Sequence, residues 1–550
     1  MTLRLVISCM LFTCACALLP RLALAVPIIK AGDRMVIYGD SITEQRQYSR
    51  FVQQYFYCRY PDMKLKVYNA GWGGDRASGA LNRLERDVLV LKPTIVTLFF
   101  GMNDGNYSAL NDGTLAEYRK NLEGLITTLQ GKGIRVVVFT PGCVDPDRQP
   151  RLKEQNYNAM LEAMGKAALE LAKQYNCPSA DVHHPMLAFQ NARKAEAPGY
   201  TMIPDSVHPD GNGHLVMANA MLSAFGVEPM PALGTVDVKA NTADGLRMVT
   251  NTHDKIELET TPPATPFWFD ASSLSTMRLS GFLELAGQKL TVSGLPEVSY
   301  RLTVNNMDLG RVSAESLAAG VFIPGTYSAR GRILQDLVAR KENNYFSAWR
   351  EVRLPLADLT AAKAVVEGMM SVDDAFHAAI YELATPTEKV AITLEPVPEN
   401  ASIAEGAPYV CSDPNIYNYG SGGLTDGSWS NEPPHCFATN DTDKFPKDVT
   451  IDLGAAKAIA SIVAGVPPFG STKTIAVAVS ADGKTFTEVG THVFFQNKEE
   501  RFTYTFDATT ARYVRLTYPD HYAEAVRYPN TFCFTAEVEV YPPAKPAPAK

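Results

Sequence analysis

This sequence contains a serine, an aspartate and a histidine whose types and positions suit nucleophilic catalysis. Ser41 lies in "YGDSITE", directly after an apolar run and before a segment with helical spacing. Asp205 and His208 lie three positions apart in "PDSVHPDGNGH". A serine whose proton passes to a histidine, itself oriented by an aspartate, can attack the carbonyl carbon of an ester. The alternative is that Ser41 only caps a helix.

Two further blocks contain groups that suit the developing negative charge of such an attack. "VYNAGWGGDRA" contains Gly74, and "FFGMNDGNY" contains Asn103. A glycine lets the backbone N–H approach a substrate closely, and an asparagine supplies a side-chain N–H. The N–H of Ser41, at a helix start, would be a third donor. Each residue alone could be a turn former or a cap, but their joint occurrence favours catalysis.

The elements that must position these residues are strands alternating with helices. The apolar runs are short, rich in β-branched and aromatic residues, and end in glycine or a loop: "MVIYG", "LKVYNAG", "TIVTLFFG" and "IRVVVFTPG". Amphipathic stretches lie between them. This alternation predicts a parallel sheet with helices on both faces. Sites in such sheets form at the carboxyl ends of the strands, where the four blocks lie.

The four blocks, in this order, resemble those of the SGNH (GDSL-type) hydrolase family, over residues 26–225. The resemblance implies an α/β, flavodoxin-like fold and hydrolysis without a cofactor. It implies a catalytic triad of Ser41, Asp205 and His208, and an oxyanion hole formed by Ser41, Gly74 and Asn103.

Other residues in or near the blocks are candidates for contact with substrate. Trp72, Arg76 and Asn106 lie within a few positions of the proposed oxyanion donors. For Trp72 a core position is an equal alternative. We expect His214, at the end of the last block where a helix is predicted to begin, to be a surface or capping residue.

The rest of the chain changes character several times. Period-two alternation and turn residues predict a small β module, and helical segments follow it without showing whether they pack on the first domain. The predicted boundaries are 226–330 for the β-rich insertion module, 331–383 for the helices, 384–400 for a linker, 401–541 for a second β domain and 542–550 for a Pro/Ala/Lys tail.

The second β domain contains "GGLTDGSWSN", "IAVAVSADGKTFTEVG" and "AEVEVY", which resemble the discoidin, or coagulation factor 5/8 type C, domain. The resemblance implies a galactose-binding-like β-sandwich (jelly-roll) that binds carbohydrate, with a structural calcium near Asp426 and Glu537. Aromatic residues that could stack on sugar rings are Trp429, Phe437, Tyr522 and Tyr528, although core packing is the more common fate of such residues.

The first 25 residues read as a secretory signal. They combine Arg4, an apolar stretch and the ending Ala23-Leu24-Ala25, so we expect cleavage after Ala25 and a secreted or periplasmic protein. An export compartment permits disulfides, and a bridge from Cys533 to Cys411 or Cys436 is a candidate.

The charge and hydropathy of the chain argue against nucleic acid as a partner and against a membrane span. The formal net charge of −8 argues against nucleic acid, and no segment after the signal is apolar enough to span a membrane. The sequence therefore predicts a secreted serine esterase, a carbohydrate O-acetylesterase acting on an acylated polysaccharide or glycan. The alternatives are a lipolytic or general short-chain esterase and a non-catalytic glycan-binding or adhesive protein. The sequence does not predict the oligomeric state.

Overall fold

A computed structural model describes residues 28–196, 199–397, 402–415, 419, 423–432 and 435–543. The expected signal peptide and the tail from residue 544 onward lie outside this range.

The N-terminal domain is built on one parallel sheet in the strand order β2-β1-β3-β4-β5. This is the flavodoxin-like order, so the predicted fold class is confirmed. Its strands are β1 (Arg34–Gly39), β2 (Lys66–Asn69), β3 (Ile95–Phe99), β4 (Arg135–Phe139) and β5 (Ser179–Ala180). Its helices are α1 (Ser41–Glu44), α2 (Gln47–Arg59), α3 (Ala77–Asp87), α4 (Asp112–Gly131), α5 (Pro150–Glu154), α6 (Tyr157–Gln174), α7 (His183–Glu196) and α8 (Gly211–Ser223).

The central strands are apolar along their whole length because both faces of the sheet are covered. Met35, Val36 and Tyr38 on β1 have no exposed surface, and neither do Ile95 and Val96 on β3. A strand buried on both faces cannot alternate polar and apolar residues, which is why the sequence shows continuous runs here.

The β module that follows contains two sheets around a core of its own. The sheets have the orders β13-β10-β6-β7 and β12-β11-β14-β9-β8. The strands are β6 (Gly234–Asp237), β7 (Thr242–Asp244), β8 (Arg247–Asn251), β9 (Ile256–Thr260), β10 (Gln288–Ser293), β11 (Ser299–Val304), β12 (Met307–Ser313), β13 (Val321–Ile323) and β14 (Val390–Pro396). The helices are α9 (Leu274–Leu279), α10 (Phe282–Ala286), α11 (Ala314–Ala319), α12 (Ala329–Phe346) and α13 (Thr360–Ala384).

Strand β14 corrects the prediction of a linker at 384–400. It lies inside the second sheet and pairs antiparallel with both β11 and β9. Its residues Val390, Ile392 and Leu394 are buried in the module core. The alternation "VAITLE" is that of a strand with one buried face, but the neighbouring prolines and charged residues obscured it.

Helices α12 and α13 pack on the hydrolase domain, which settles the question that the sequence left open. Helix α12 contacts α2 and β2, and Leu334, Val338 and Trp349 belong to the same hydrophobic core as the parallel sheet. Residues Phe267 and Phe282 of the module join that core as well. The chain from residue 28 to β14 therefore shares buried surface across the predicted boundaries.

The C-terminal domain is all-β, as predicted. Its main sheet has the order β15-β17-β21-β19-β20, with β24 paired to β17, and all of these pairings are antiparallel. The strands are β15 (Tyr409–Cys411), β16 (Phe437–Ala438), β17 (Lys447–Val466), β18 (Gly470–Thr472), β19 (Thr474–Ser480), β20 (Thr487–Val493), β21 (Glu500–Tyr518), β22 (His521–Val526), β23 (Phe534–Thr535) and β24 (Glu537–Tyr541).

The structure also bears on the predicted disulfide bridge and on the prediction that no segment spans a membrane. Cys411, Cys436 and Cys533 are buried and unpaired, so the expected bridge is wrong. Among the residues that the structure describes, no helix has both the length and the apolarity that a bilayer span requires.

The position of β14 predicts that Ile392→Ala destabilises the protein. The side chain is fully buried, so its loss should lower the free energy of unfolding by about 2–5 kcal/mol. Glu395→Ala, an exposed change on the same strand, is the control and should alter it by less than about 0.5 kcal/mol. Equal unfolding midpoints in denaturant for both variants would contradict the assignment of β14 to the sheet.

Candidate active site

The sharp turn after β1 presents Ser41 at the start of α1. The Oδ1 atom of Asp40 accepts a hydrogen bond from the N–H of Ile42 at 3.0 Å and so caps this short helix. Gly39 is required here, because a Cβ would lie 2.7 Å from the carbonyl oxygen of Phe99 on the neighbouring strand. The close approach of β3 thus fixes where the turn begins.

Ser41, His208 and Asp205 form one continuous chain of hydrogen bonds. The Nε2 atom of His208 lies 2.8 Å from Ser41 Oγ, and its Nδ1 atom lies 2.7 Å from Asp205 Oδ2. Asp205 Oδ1 accepts from the backbone N–H groups of Val207 at 3.0 Å and of His208 at 2.7 Å. This is the geometry in which His208 donates from Nδ1 and accepts the serine proton at Nε2.

The environment keeps Asp205 ionised. Partial burial acts to raise its pKa, but the backbone N–H groups of His208 and Val207 and the His208 ring together hold that pKa below its usual value. An ionised Asp205 fixes the orientation of the imidazole and favours its positive charge when it takes a proton.

The proposed oxyanion donors come from the ends of three strands. Gly74 adopts φ +72°, a conformation that favours glycine, in the loop after β2. The backbone N–H groups of Ser41 and Gly74 donate no hydrogen bond to another described residue. Asn103, after β3, donates one amide hydrogen to the Asp75 carbonyl at 2.9 Å, which leaves its second hydrogen available.

Tyr107 orients the amide of Asn103 and was missed by sequence reasoning. Its hydroxyl donates to Asn103 Oδ1 at 2.7 Å, which determines the side of the amide that carries the N–H groups. Tyr107 lies in the quoted block "FFGMNDGNY", but nothing in the sequence shows that its φ of +54° turns the ring back toward Asn103.

Asn69 joins the nucleophile helix to the oxyanion loop. Its side-chain N–H donates to the Thr43 carbonyl at 2.8 Å, and its Oδ1 atom accepts from the N–H of Gly71 at 2.9 Å. Asn69 is buried. The segments that carry Ser41 and Gly74 are therefore linked through one side chain at the end of β2.

Two buried carboxyl groups flank the site. Burial raises the pKa of Asp40 to about 8 against the hydrogen bond from Ile42, and the charges of Asp104 and Asp75 raise it further. Burial likewise raises the pKa of Asp104 to about 6, although the N–H groups of Ala77 and Gly101 act in the opposite direction. A protonated Asp40 keeps negative charge away from the proposed oxyanion donors.

The three candidate substrate-contact residues differ in their surroundings. Arg76 and Asn106 are exposed. Trp72 is half-buried and its ring is covered by the guanidinium of Arg350, whose central carbon lies 3.5 Å from the ring centroid. His214, expected at the surface, is fully buried: it accepts from the N–H of Tyr48, and burial lowers its pKa to about 3.

The four aromatic residues predicted to stack on sugar rings in the C-terminal domain differ in burial and in contacts. Phe437 is 1% exposed and packs in the core, so its prediction as a sugar-stacking residue is wrong. Trp429 is half-buried, with Arg501 over its ring at 4.0 Å and its N–H donated to Glu539. Tyr522 donates its hydroxyl to the Phe494 carbonyl. Tyr528 is half-buried at the edge of a small aromatic cluster.

Asp426 and Glu537, the two residues predicted to lie near a structural calcium, are joined by a hydrogen bond between their side chains. Burial raises the pKa of Glu537 to about 10, and the charge of Asp426 and a hydrogen bond between the two side chains raise it further. Glu537 also accepts from the N–H of Gly427 at 3.0 Å. Carboxyl oxygens are ligands that Ca²⁺ takes in proteins, so this adjacent pair suits such a cation. No group of three or more His, Cys, Asp or Glu suited to a metal occurs in the described part of the chain.

Comparison with known proteins agrees with the fold and the arrangement of the blocks. Residues 37–216 match the GDSL-like lipase/acylhydrolase family. Residues 423–516 match the NedA-like, galactose-binding domain. The chain thus contains a GDSL-like acylhydrolase domain and a galactose-binding-like domain of the coagulation factor 5/8 type C class. It is a carboxylic ester hydrolase of the SGNH type.

The chain is also similar to individual proteins and solved structures. An acetylxylan esterase of Geobacillus stearothermophilus is 24% identical over 221 residues, which cover 36% of this chain and 97% of that protein. The solved structure of a gut microbial diltiazem-metabolizing enzyme, 22% identical, superposes with a TM-score of 0.55 and covers 68% of this chain and 99% of its own. An α/β hydrolase from the metagenome of Lake Arreo, Spain, is 25% identical with a TM-score of 0.31, covering 36% of this chain and 96% of its own. The match to the gut enzyme shows the fold over a length greater than the hydrolase domain alone.

The raised pKa of Asp40 predicts a pH dependence of stability. Because its pKa rises from 3.8 in the unfolded chain to about 8 in the folded one, its contribution is complete below pH 3.8 and is lost as the pH rises through 8. Between pH 5 and 8, Asp40→Asn should make the fall in unfolding free energy shallower by up to about 1.4 kcal/mol per pH unit.

Chemical denaturation at a series of pH values measures this slope. Asp336→Asn, an exposed change on α12, is the control and should leave the slope as it is in the wild type. An unchanged slope in Asp40→Asn would mean that Asp40 is ionised in the folded protein at pH 5.

Proposed function

We propose that this protein is an exported serine esterase that removes O-acetyl groups from a carbohydrate, with Ser41 as nucleophile. The observation that carries the proposal is the chain of hydrogen bonds from Ser41 Oγ through His208 to Asp205, at 2.8 Å and 2.7 Å. Export rests on the signal-like residues 1–25, which lie outside the described residues.

Acylation begins when Ser41 Oγ attacks the carbonyl carbon of the acetyl ester while its proton passes to His208 Nε2. The carbonyl oxygen becomes negatively charged and accepts from the N–H groups of Ser41 and Gly74 and from the second amide hydrogen of Asn103. When the tetrahedral intermediate collapses, the bond to the sugar oxygen breaks. His208 returns its proton to that oxygen, and the deacetylated sugar leaves.

Deacylation repeats the sequence with water. His208 Nε2 takes a proton from a water molecule whose oxygen attacks the acetyl carbonyl on Ser41. The same three donors hold the oxyanion, and Ser41 recovers its proton from His208 as acetate departs. The ionised Asp205 favours the imidazolium in both halves of the reaction.

The carbohydrate substrate is supported by two separate likenesses. The N-terminal domain is similar to an acetylxylan esterase, and the C-terminal domain belongs with galactose-binding modules. A module that binds a polymer raises the concentration of its ester groups around a linked enzyme. The complete set of triad and oxyanion groups counts against a purely adhesive protein.

Replacement of Ser41 tests the proposal directly. Ser41→Ala should lower kcat for p-nitrophenyl acetate and acetate release from acetylated xylan by at least ~10⁴-fold, because no other group supplies the nucleophile. Ser108→Ala is the matched control: its hydroxyl lies in the loop that carries Asn103 but donates only to the Asn106 carbonyl. It should retain the wild-type kcat.

Two outcomes would contradict the proposal. Equal activity of Ser41→Ala and wild type would exclude Ser41 as the nucleophile. A wild-type kcat/KM that rises steadily with acyl chain length, with no acetate released from acetylated glycans, would favour a lipolytic enzyme.

We also propose that Asp426 and Glu537 bind a structural Ca²⁺, with backbone carbonyl groups completing its oxygen ligands. A bound cation would favour the ionised form of the buried Glu537 and would hold the "TDG" turn against β24. It plays no part in the ester chemistry.

Calcium should therefore stabilise the C-terminal domain. Millimolar CaCl₂ should raise its Tm above the value in EGTA by about 3 °C or more, through binding to the folded state alone. Glu537→Gln should abolish this rise while Asp507→Asn, an exposed control, retains it. An equal rise in both variants, or none in the wild type, would contradict the site.

A further inference from the structure

Arg350 reaches the catalytic loops from a part of the chain outside the family match at 37–216. It lies in the π-helical segment Ser347–Arg353, between α12 and α13. Its side chain is only 19% exposed, although nothing in the proposed ester chemistry requires a buried arginine here.

The guanidinium of Arg350 contacts both segments that carry backbone oxyanion donors. Its Nη1 atom lies 3.0 Å from Oε1 of Glu44, the last residue of α1. The same atom donates to the carbonyl of Gly71 at 3.4 Å, and the guanidinium stacks on Trp72. Arginine suits this position because its planar group can stack and hydrogen-bond at once.

The two segments already touch closely, so a small change at the contact moves the donors. A Cβ on Gly71 would overlap the backbone nitrogen of Glu44, and a Cβ on Gly73 would lie 2.7 Å from Glu44 Oε2. Glu44 is thus packed under the loop that leads to Gly74. Arg350 forms an ion pair with its carboxylate and also contacts Gly71 and Trp72 of the loop.

The neighbouring residues make Arg350 part of a rigid support. Trp349 is 1% exposed, packs edge-on against Trp72 and donates its indole N–H to Asp87 at 3.1 Å. Asp87 is fully buried and lies on α3, the helix that follows the oxyanion loop. The turn that carries Arg350 is therefore anchored on the hydrolase domain independently of Arg350 itself.

We infer that Arg350 is a positioning residue for ester hydrolysis: by joining Glu44 of α1 to Gly71 and Trp72, it sets the spacing of the Ser41 and Gly74 N–H groups. The inference rests on the proposed function, since it assumes that these groups bind the oxyanion. Displacement of a catalytic group by about 1 Å can lower the rate ~100-fold, so the spacing matters for kcat.

Steady-state kinetics of the full chain on p-nitrophenyl acetate tests the inference. Arg350→Met should lower kcat by about 10- to 100-fold with KM within about twofold of wild type. Arg350→Lys keeps the charge near Glu44 but loses the planar stacking. Its kcat should therefore lie between that of the wild type and that of Arg350→Met.

Arg330→Met is the matched control on α12. Its guanidinium donates to the carbonyl groups of Leu383 and Glu382 and touches no catalytic loop. It should lower Tm at least as much as Arg350→Met while kcat stays at the wild-type value. If Arg350→Met lowers Tm but leaves kcat unchanged, Arg350 is only structural and the inference is wrong.

A double-mutant cycle with Glu44→Gln tests whether Arg350 acts through Glu44. Because Arg350 acts partly through Glu44, the double variant should be no slower than Arg350→Met alone. Multiplied losses, or a raised KM with unchanged kcat, would overturn the positioning role. Failure of the proposed function would give a different result. The wild type would then hydrolyse the ester no faster than Ser41→Ala, and the positioning role of Arg350 would be wrong as well.

Discussion

The contact between α1 and the loop after β2 is the constraint on which this site depends. In the proposed oxyanion hole, Ser41 and Gly74 would each contribute a backbone N–H, and backbone groups can be placed only by placing the segments that carry them. Gly71 allows the loop to lie against Glu44, and Asn69 ties the two segments through hydrogen bonds at 2.8 Å and 2.9 Å. Such preorganised donors stabilise an oxyanion without reorganisation during the reaction.

Elements beyond the hydrolase domain pack on this part of the sheet. Strand β2 is at the edge of the parallel sheet, and α12 contacts it: Lys341 donates to the Val67 carbonyl and Tyr345 packs against Tyr68. Strand β14 then returns the chain to the middle of the module sheet. The π-helical segment between α12 and α13 contacts the loop after β2 through Arg350.

The sequence predicted the local features well, because each rests on neighbours along the chain. Continuous apolar runs predicted the parallel strands. The roles of Ser41, Asn103 and His208 were inferred from the resemblance of the four blocks to a known family. The sequence failed where the deciding contact is distant. The pairing of β14 with β9 and β11, the burial of Phe437 and the contact of Arg350 with Trp72 depend on residues far away in the chain, which periodicity and composition do not encode.

Covalent labelling would show whether Ser41 is the nucleophile. The protein would be treated with a fluorophosphonate, digested with trypsin and analysed by mass spectrometry. We expect one adduct on the peptide "MVIYGDSITEQR", in which Ser41 is the only serine, and no adduct in His208→Ala. An unlabelled peptide, or equal labelling of both proteins, would contradict the proposed role of Ser41.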